Sequence, residues 1–278
     1  MYGHPEIRIT TEFLNTKLGN LSVIRMGSVE ALNVYRKIMP DLSTVKCPTK
    51  VNVICRGKEM KLVIESCELP LLMRMKLSGT WKFDSVSPDE DEEYKKIGRI
   101  FIQTEDGYVK LYDKHKICDW KWSSKWGVDR GPDIISEKFE FIQHLHRYRD
   151  WIGFNRPIYQ MLLHQRFFNG FNPLIRSEIL ARVEFSPFLT LREILKDEKS
   201  REDLIETSCY VLESLYMLGG CETKTWKNPF EKKNKEAYKW CQAYRKPRKA
   251  FPLKDGTTVF WYLKKWQREF IAFDVCED

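Results

Sequence analysis

Residues 154–187 read FNRPIYQMLLHQRFFNGFNPLIRSEILARVEFSP, and the reading of this stretch decides the fold. Ile158, Met161, Leu162 and Leu163 recur at helical spacing, Gly170, Asn172 and Pro173 interrupt the pattern, and a second helix is expected from about Leu174. Two helices meeting across a tight turn leave the first backbone N–H groups of the second without partners, which makes the turn a seat for a phosphate. Arg166 and Arg176 flank the turn, and Asn169 and Asn172 lie within it. An ordinary helical hairpin would carry the same pattern, so the stretch alone leaves both readings open.

Outward from this hairpin, the two halves of the chain differ in period. Before it run LSVIRM, KVNVICRG, KLVIES, LPLLMRMKL, RIFIQ and YVKLYD, short apolar segments that predict strands of a mainly antiparallel, two-layered unit, preceded by a possible helix over 9–18. The acidic run SPDEDEE at 87–93 reads as a solvated loop and a poor surface for a polyanion. From Asp133 onward SEKFEFIQHLHRYRDWI, LTLREIL and REDLIETSCYVLESLYMLGG are helical in period. The expected domains are therefore 1–135 and 136–278, with the boundary in or after KWGVDRGPD. Near the end, PLKDGTTVFWYLKKWQ places an Asp-Gly turn between β-prone residues, a hairpin signal.

The 278 residues suffice for two domains with real cores, and 42% hydrophobic content argues against disorder throughout. The net charge of +8 favours a polyanionic partner. Eight cysteines, at 47, 55, 67, 118, 209, 221, 241 and 276, form no CxxC pair and no Cys/His cluster at ligand spacing, so neither structural zinc nor a disulfide scaffold is expected, and no cofactor is implied. No apolar run is long enough to cross a bilayer and no signal peptide stands out, so a soluble, non-secreted protein is expected; a monomer is expected as well.

The run QRFFNGFNPLIRSEIL at 165–180 resembles the helix–two-turn–helix of the Fpg/Nei DNA glycosylases, in particular the animal endonuclease VIII-like enzymes with a zincless finger. That family has a Gly-x-Gly-Asn turn followed by an Arg-x-x-Glu helix. Gly170 and Glu178 match, whereas Asn172 and Pro173 stand where Gly and Asn are expected, so the phosphate-binding side chain is displaced by one residue or lost. HPEIRI, RGKEMKL, MKLSGTW, KWGVDRGP, LGGC and DGTTVFW are similar to further family segments in the same order. The resemblance thus covers nearly the whole chain. It implies an α+β, two-domain Fpg/Nei fold: an N-terminal antiparallel β-sandwich and a C-terminal helical domain, with the helix–two-turn–helix at about 154–187 and the zincless-finger hairpin at about 250–267.

Family enzymes excise an oxidised base and cut the abasic strand with the α-amine of an N-terminal proline as nucleophile and the next glutamate as acid/base. Such amines are suited to Schiff-base formation because their pKa lies near about 8. Here Tyr2 and Gly3 stand in those two places. Glu6 matches a second family glutamate near the abasic site, with a surface or capping carboxylate as the alternative. Lys58 matches a lysine that contacts phosphate near the nucleophile, with a strand-end charge as the alternative.

The resemblance also assigns contacts to the nucleic acid. Lys76 and Leu77 belong to the void-filling loop. Lys116 and Ile117, in DKHKICDW, stand where the family usually places Arg and an aromatic residue. At the finger the family's Gly-Arg-Thr is Gly256-Thr257-Thr258, so a bidentate phosphate grip is missing, although Lys254, Lys264 and Lys265 offer point charges. Cys221 lies in the counterpart of the lesion-recognition loop.

These substitutions fall on the chemistry and spare the core, which suggests a DNA-binding pseudo-glycosylase. The alternatives are an active glycosylase or abasic-site lyase with a substitute amine, either Lys58 or the N-terminus, and a protein-interaction module. The last would use the aromatics Trp120, Trp122, Trp126, Trp261, Tyr262 and Trp266, which are equally readable as core. The expected partner is double-stranded DNA, damaged or abasic, with a protein partner besides, and the expected location is the nucleus, or else the cytoplasm.

Overall fold

The computed structural model describes residues 2–19, 21–28, 40–76, 78–223, 226–230 and 236–274. The chain divides into two compact units, one comprising residues 1–127 with 219–234, the other 128–218 with 235–278. The return of 219–234 to the first unit has no counterpart in the sequence reading.

The first unit opens with α1 (His4–Leu18), which starts earlier than expected because Pro5 suits a first helical turn and Gly3 caps it. Two four-stranded antiparallel sheets follow. One has the order β1 (Arg25–Ser28), β6 (Gly98–Thr104), β7 (Gly107–Asp113), β5 (Gly79–Asp84), and the other β2 (Val51–Arg56), β3 (Glu59–Ile64), β4 (Leu71–Arg74), β8 (Asp119–Trp122). Strand β2 is an edge strand, and α1 covers part of that edge. Asn15 of α1 donates through Nδ2 to Val53 O at 2.8 Å and accepts Val53 N–H at 2.7 Å, as a further strand would.

The acidic run is not wholly a loop. Asp91 caps a short helix, α2 (Glu92–Ile97), and its side chain accepts Tyr94 N–H at 2.8 Å, Tyr112 OH at 2.5 Å and the buried Lys110 ammonium. Burial alone would raise the Asp91 carboxyl, but the bonds from Lys110, Tyr112 and the Tyr94 amide hold it well below the usual carboxylate range.

The second unit holds α3 (Lys138–Arg147), α4 (Ile158–Met161), α5 (Pro173–Leu180), α6 (Leu191–Lys196), α7 (Glu198–Met217), α8 (Glu236–Trp240), the hairpin β9 (Ala250–Asp255)–β10 (Thr258–Leu263), and α9 (Gln267–Asp274). The helix expected before the Gly/Asn/Pro interruption lasts a single turn. Beyond Met161 the backbone bonds shift to i→i+3, as in Leu163 N–H to Gln160 O at 3.2 Å and His164 N–H to Met161 O at 2.9 Å. The tighter path turns Phe167, Phe168 and Phe171 inward together, all 1% exposed or less. Phe167 packs on Phe154 and Trp151 at ring separations of 4.8 and 5.0 Å, and Phe168 on Phe141 at 5.8 Å. Burying three phenylalanines, at about 2 kcal/mol each or more, outweighs the lost helical bonds.

Candidate functional site

In the first unit the start of α1 is organised by one carboxylate. Glu6 is 4% exposed; Oε2 accepts Gly3 N–H at 2.7 Å and Oε1 accepts Cys221 N–H at 2.9 Å. Burial raises its pKa above the ordinary carboxylate value, and the two backbone bonds partly oppose that rise. The bond to Gly3 is that of a helix-capping carboxylate, and a second bond reaches a loop far along the chain.

That loop is 218–223, LGGCET. Gly219 and Gly220 lie at φ +79° and +74°, a conformation glycine adopts freely. A Cβ on Gly220 would sit 2.9 Å from the Trp226 ring and 3.2 Å from Ile9. Trp226 is buried and donates through Nε1 to Thr10 Oγ1 at 3.2 Å, and its ring lies 6.5 Å from that of Tyr2, which is 2% exposed. Tyr2 therefore plugs the head of α1, and no carboxylate follows it at Gly3. Cys221, expected on a lesion-facing loop, is 4% exposed and holds Glu6 through its backbone.

Lys58 sits half-buried in the two-residue Gly57-Lys58 turn of the β2–β3 hairpin. A lysine the sequence reading passed over lies three residues on. Lys61 is 5% exposed, donates to Ser124 O at 2.7 Å and stands 3.9 Å over the Trp126 ring, and burial lowers its pKa. Its period-2 place in a strand was the available signal.

The two loops expected to enter the duplex are tied together by Asp113, which is fully buried. Its Oδ1 accepts Ser78 OH, and its Oδ2 accepts Cys118 N–H at 2.8 Å; Cys118 Sγ in turn donates to Met75 O at 3.4 Å. Burial, with Asp113 alongside, pushes the Cys118 thiol up, so it stays protonated. Lys76 and Lys116 adopt φ +49° and +54°, two of only three non-glycine residues in the left-handed region among those described. Such strain, of order 1–3 kcal/mol each, marks loops that the surrounding structure over-determines. Lys76 pairs with Asp119 at 2.6 Å, Lys116 is exposed and Ile117 half-buried. Leu77 lies outside the described residues.

In the second unit, three consecutive residues of α5 hold the C-terminal segments. Arg176 is fully buried rather than presented to a phosphate. Nη1 donates to Asp255 and, at 2.9 Å, to Tyr159 O, while Nη2 donates to Thr258 Oγ1 at 3.2 Å. Ser177 Oγ accepts Trp261 N–H at 3.1 Å. Glu178, also fully buried, accepts the N–H groups of Gln242, Ala243 and Tyr244 at 2.7, 3.0 and 2.8 Å and Arg182 Nη1 at 2.5 Å. The charges of this helix are spent on fixing the β9–β10 hairpin and the turn before it.

The turn ahead of α5 is equally committed. Asn172 is the N-cap, its Oδ1 accepting Ile175 N–H at 2.9 Å, and Asn169 Nδ2 donates to Gly131 O at 3.0 Å. Gly131 is obligatory there, since a Cβ would meet Arg166 O at 2.2 Å. Arg166 remains exposed and donates to Tyr148 OH at 2.9 Å. At the hairpin tip Lys254, Gly256 and Thr257 are exposed, and nothing lies within 4 Å of where a Gly256 Cβ would be. The aromatics weighed as a docking face are half-buried or, like Tyr262, buried among Phe188, Phe251, Phe260 and Phe270. Among the described residues no group of His, Cys, Asp or Glu could hold a metal ion, and no helix is long and apolar enough to cross a membrane.

No protein-family profile matches the sequence. Endonuclease 8-like 1 of Homo sapiens is 27% identical over 244 residues, covering 78% of this chain and 61% of that protein, and its Mus musculus counterpart is 26% identical over the same spans. Endonuclease 8-like 2 of Pongo abelii is 34% identical over 100 residues, 36% of this chain and 27% of that protein. The chain thus spans about 61% of the length of the first two relatives. Among solved structures, Thermus thermophilus MutM (Fpg) aligns over 96% of this chain and 98% of its own at 16% identity and a TM-score of 0.75. Lactococcus lactis Fpg, in a complex with DNA containing an abasic site, aligns over 96% and 99% at 17% identity and a TM-score of 0.76.

Proposed function

Because the chain has the Fpg/Nei fold and is homologous to the endonuclease 8-like proteins, we propose that it is a DNA-repair-type protein that binds duplex DNA, damaged or abasic, without excising bases. The observation that carries the reading is the head of α1. Tyr2 is buried against Trp226, Gly3 offers no carboxylate, and both Glu6 oxygens accept backbone N–H groups. A general acid or base must reach the proton it moves, and this buried carboxylate is held by two backbone donors.

Binding rests on exposed or half-exposed cations: Lys58 at the β2–β3 turn, Lys76 and Lys116 on the two strained loops, and Lys254 at the hairpin tip. Ile117, with Leu77, is the proposed wedge into the space a flipped nucleotide leaves. In this reading β9–β10 is a zincless finger with its gripping arginine replaced by Thr257, and residues 154–187 are the helix–two-turn–helix. Monomeric action in the nucleus goes with this reading.

A duplex containing an abasic site, incubated with the protein and reduced with borohydride, tests it. No covalent adduct should form, while the same duplex is retained in a salt-sensitive way. An adduct abolished by Lys58→Ala would instead support a lyase that uses a substitute amine.

A further inference from the structure

We propose that a groove between α3, α6 and α7, within the second unit, is a docking site for a short acidic peptide segment of a partner protein that inserts a bulky apolar side chain. The cavity holds about 440 Å³, within the range of specific ligand sites, which run from about 300 to 1,000 Å³. Its floor is apolar: Leu145 and Ile205 are buried, and Ile142 and Leu195 are half-buried beside them. Its rim carries Arg149, Arg192, Lys196 and Arg201, against Asp150 as the acidic member.

The guanidinium of Arg192 is fixed in place, since Nε donates to Asn155 Oδ1 at 2.6 Å and Nη2 to Trp151 O at 3.1 Å. Its contact with Asp150 is loose, at 3.7 Å, and that of Arg149 is 3.5 Å with Asp150 86% exposed. Arg201 reaches Glu198 at 3.6 Å, and Lys196 is exposed. Ion pairs this long, each with a largely exposed acid, contribute little. Four cations around an apolar floor complement a ligand with carboxylates flanking one large aliphatic or aromatic residue. A nucleic-acid backbone would satisfy the rim but leave the floor uncovered.

The test uses the full chain and a fluorescent peptide in which Asp and Glu flank Leu and Phe at i, i+3 spacing. Saturable binding is expected, weakened more than about tenfold by Lys196→Glu with Arg149→Glu, exposed positions that leave the core untouched. Replacing the Leu and Phe of the peptide with Ala should abolish binding, and plain duplex DNA should compete poorly. Absence of saturable binding, indifference to the double charge reversal, or displacement by duplex DNA at low concentration would each overturn the assignment.

Discussion

Glu6 Oε1 accepts the backbone N–H of Cys221 at 2.9 Å while its Oε2 accepts that of Gly3 at 2.7 Å, so one carboxylate joins the head of α1 to a loop 215 residues away. The pair pins the first residues of the helix to that loop through a single buried side chain.

Removing that pin should cost stability rather than activity. Glu6→Ala leaves two buried N–H groups without acceptors and should destabilise the protein by about 2–4 kcal/mol, measured by urea unfolding. Glu6→Gln should cost less, since its carbonyl can still serve one of the two donors.

The same carboxyl gives a signed pH dependence. Its folded pKa is raised, so between the unfolded value and the folded one the native state binds the proton that the unfolded state has released. Stability of the wild type relative to Glu6→Gln should therefore rise as pH falls from neutral through that window. Asp91 acts oppositely: its depressed pKa gives stability that is complete above the unfolded value and is lost as pH falls through the folded one. Asp91→Asn should flatten the acid limb of the stability curve.

Arg176 offers a second structural test. Arg176→Ala removes a fully buried guanidinium serving Asp255, Thr258 and Tyr159 O, and should cost about 3–5 kcal/mol. Arg176→Lys should rescue little, because one ammonium cannot reproduce a planar fork. Limited proteolysis should find the Asp255–Thr258 turn newly cleavable in both variants.

Much of this architecture was legible in the sequence, and the gaps have physical causes. Apolar alternation located β2, β3, β4, β6 and β7, and the Asp-Gly turn located the β9–β10 hairpin. Strands β5 and β8, GTWKFD and DWKW, went unseen because their lysines and acids break up the apolar runs. Helix α2 hid within an acidic run whose Asp91 turned out to be a cap and a partner of Lys110. At the site, the motif positions were found but their side-chain fates were not. Arg176 read as a flank of the phosphate turn and Glu178 as a family motif position, and both are interior because partners as distant as Asp255 and Ala243 close over them.

Restoring a grip at the hairpin tip should be possible without refolding anything. Thr257 is exposed and Gly256 at φ +54° has open space around it. Thr257→Arg should tighten duplex binding by about tenfold and steepen the log-log salt slope by about one, read from fluorescence anisotropy across salt.

The most direct measurement of the central claim is borohydride trapping on an abasic duplex beside a salt titration of binding to the same DNA. A DNA-binding pseudo-glycosylase should give no adduct and should bind with a log-log slope of about −5, corresponding to about five or six phosphate contacts. A covalent adduct on any amine of the chain would contradict it, and so would a flat titration.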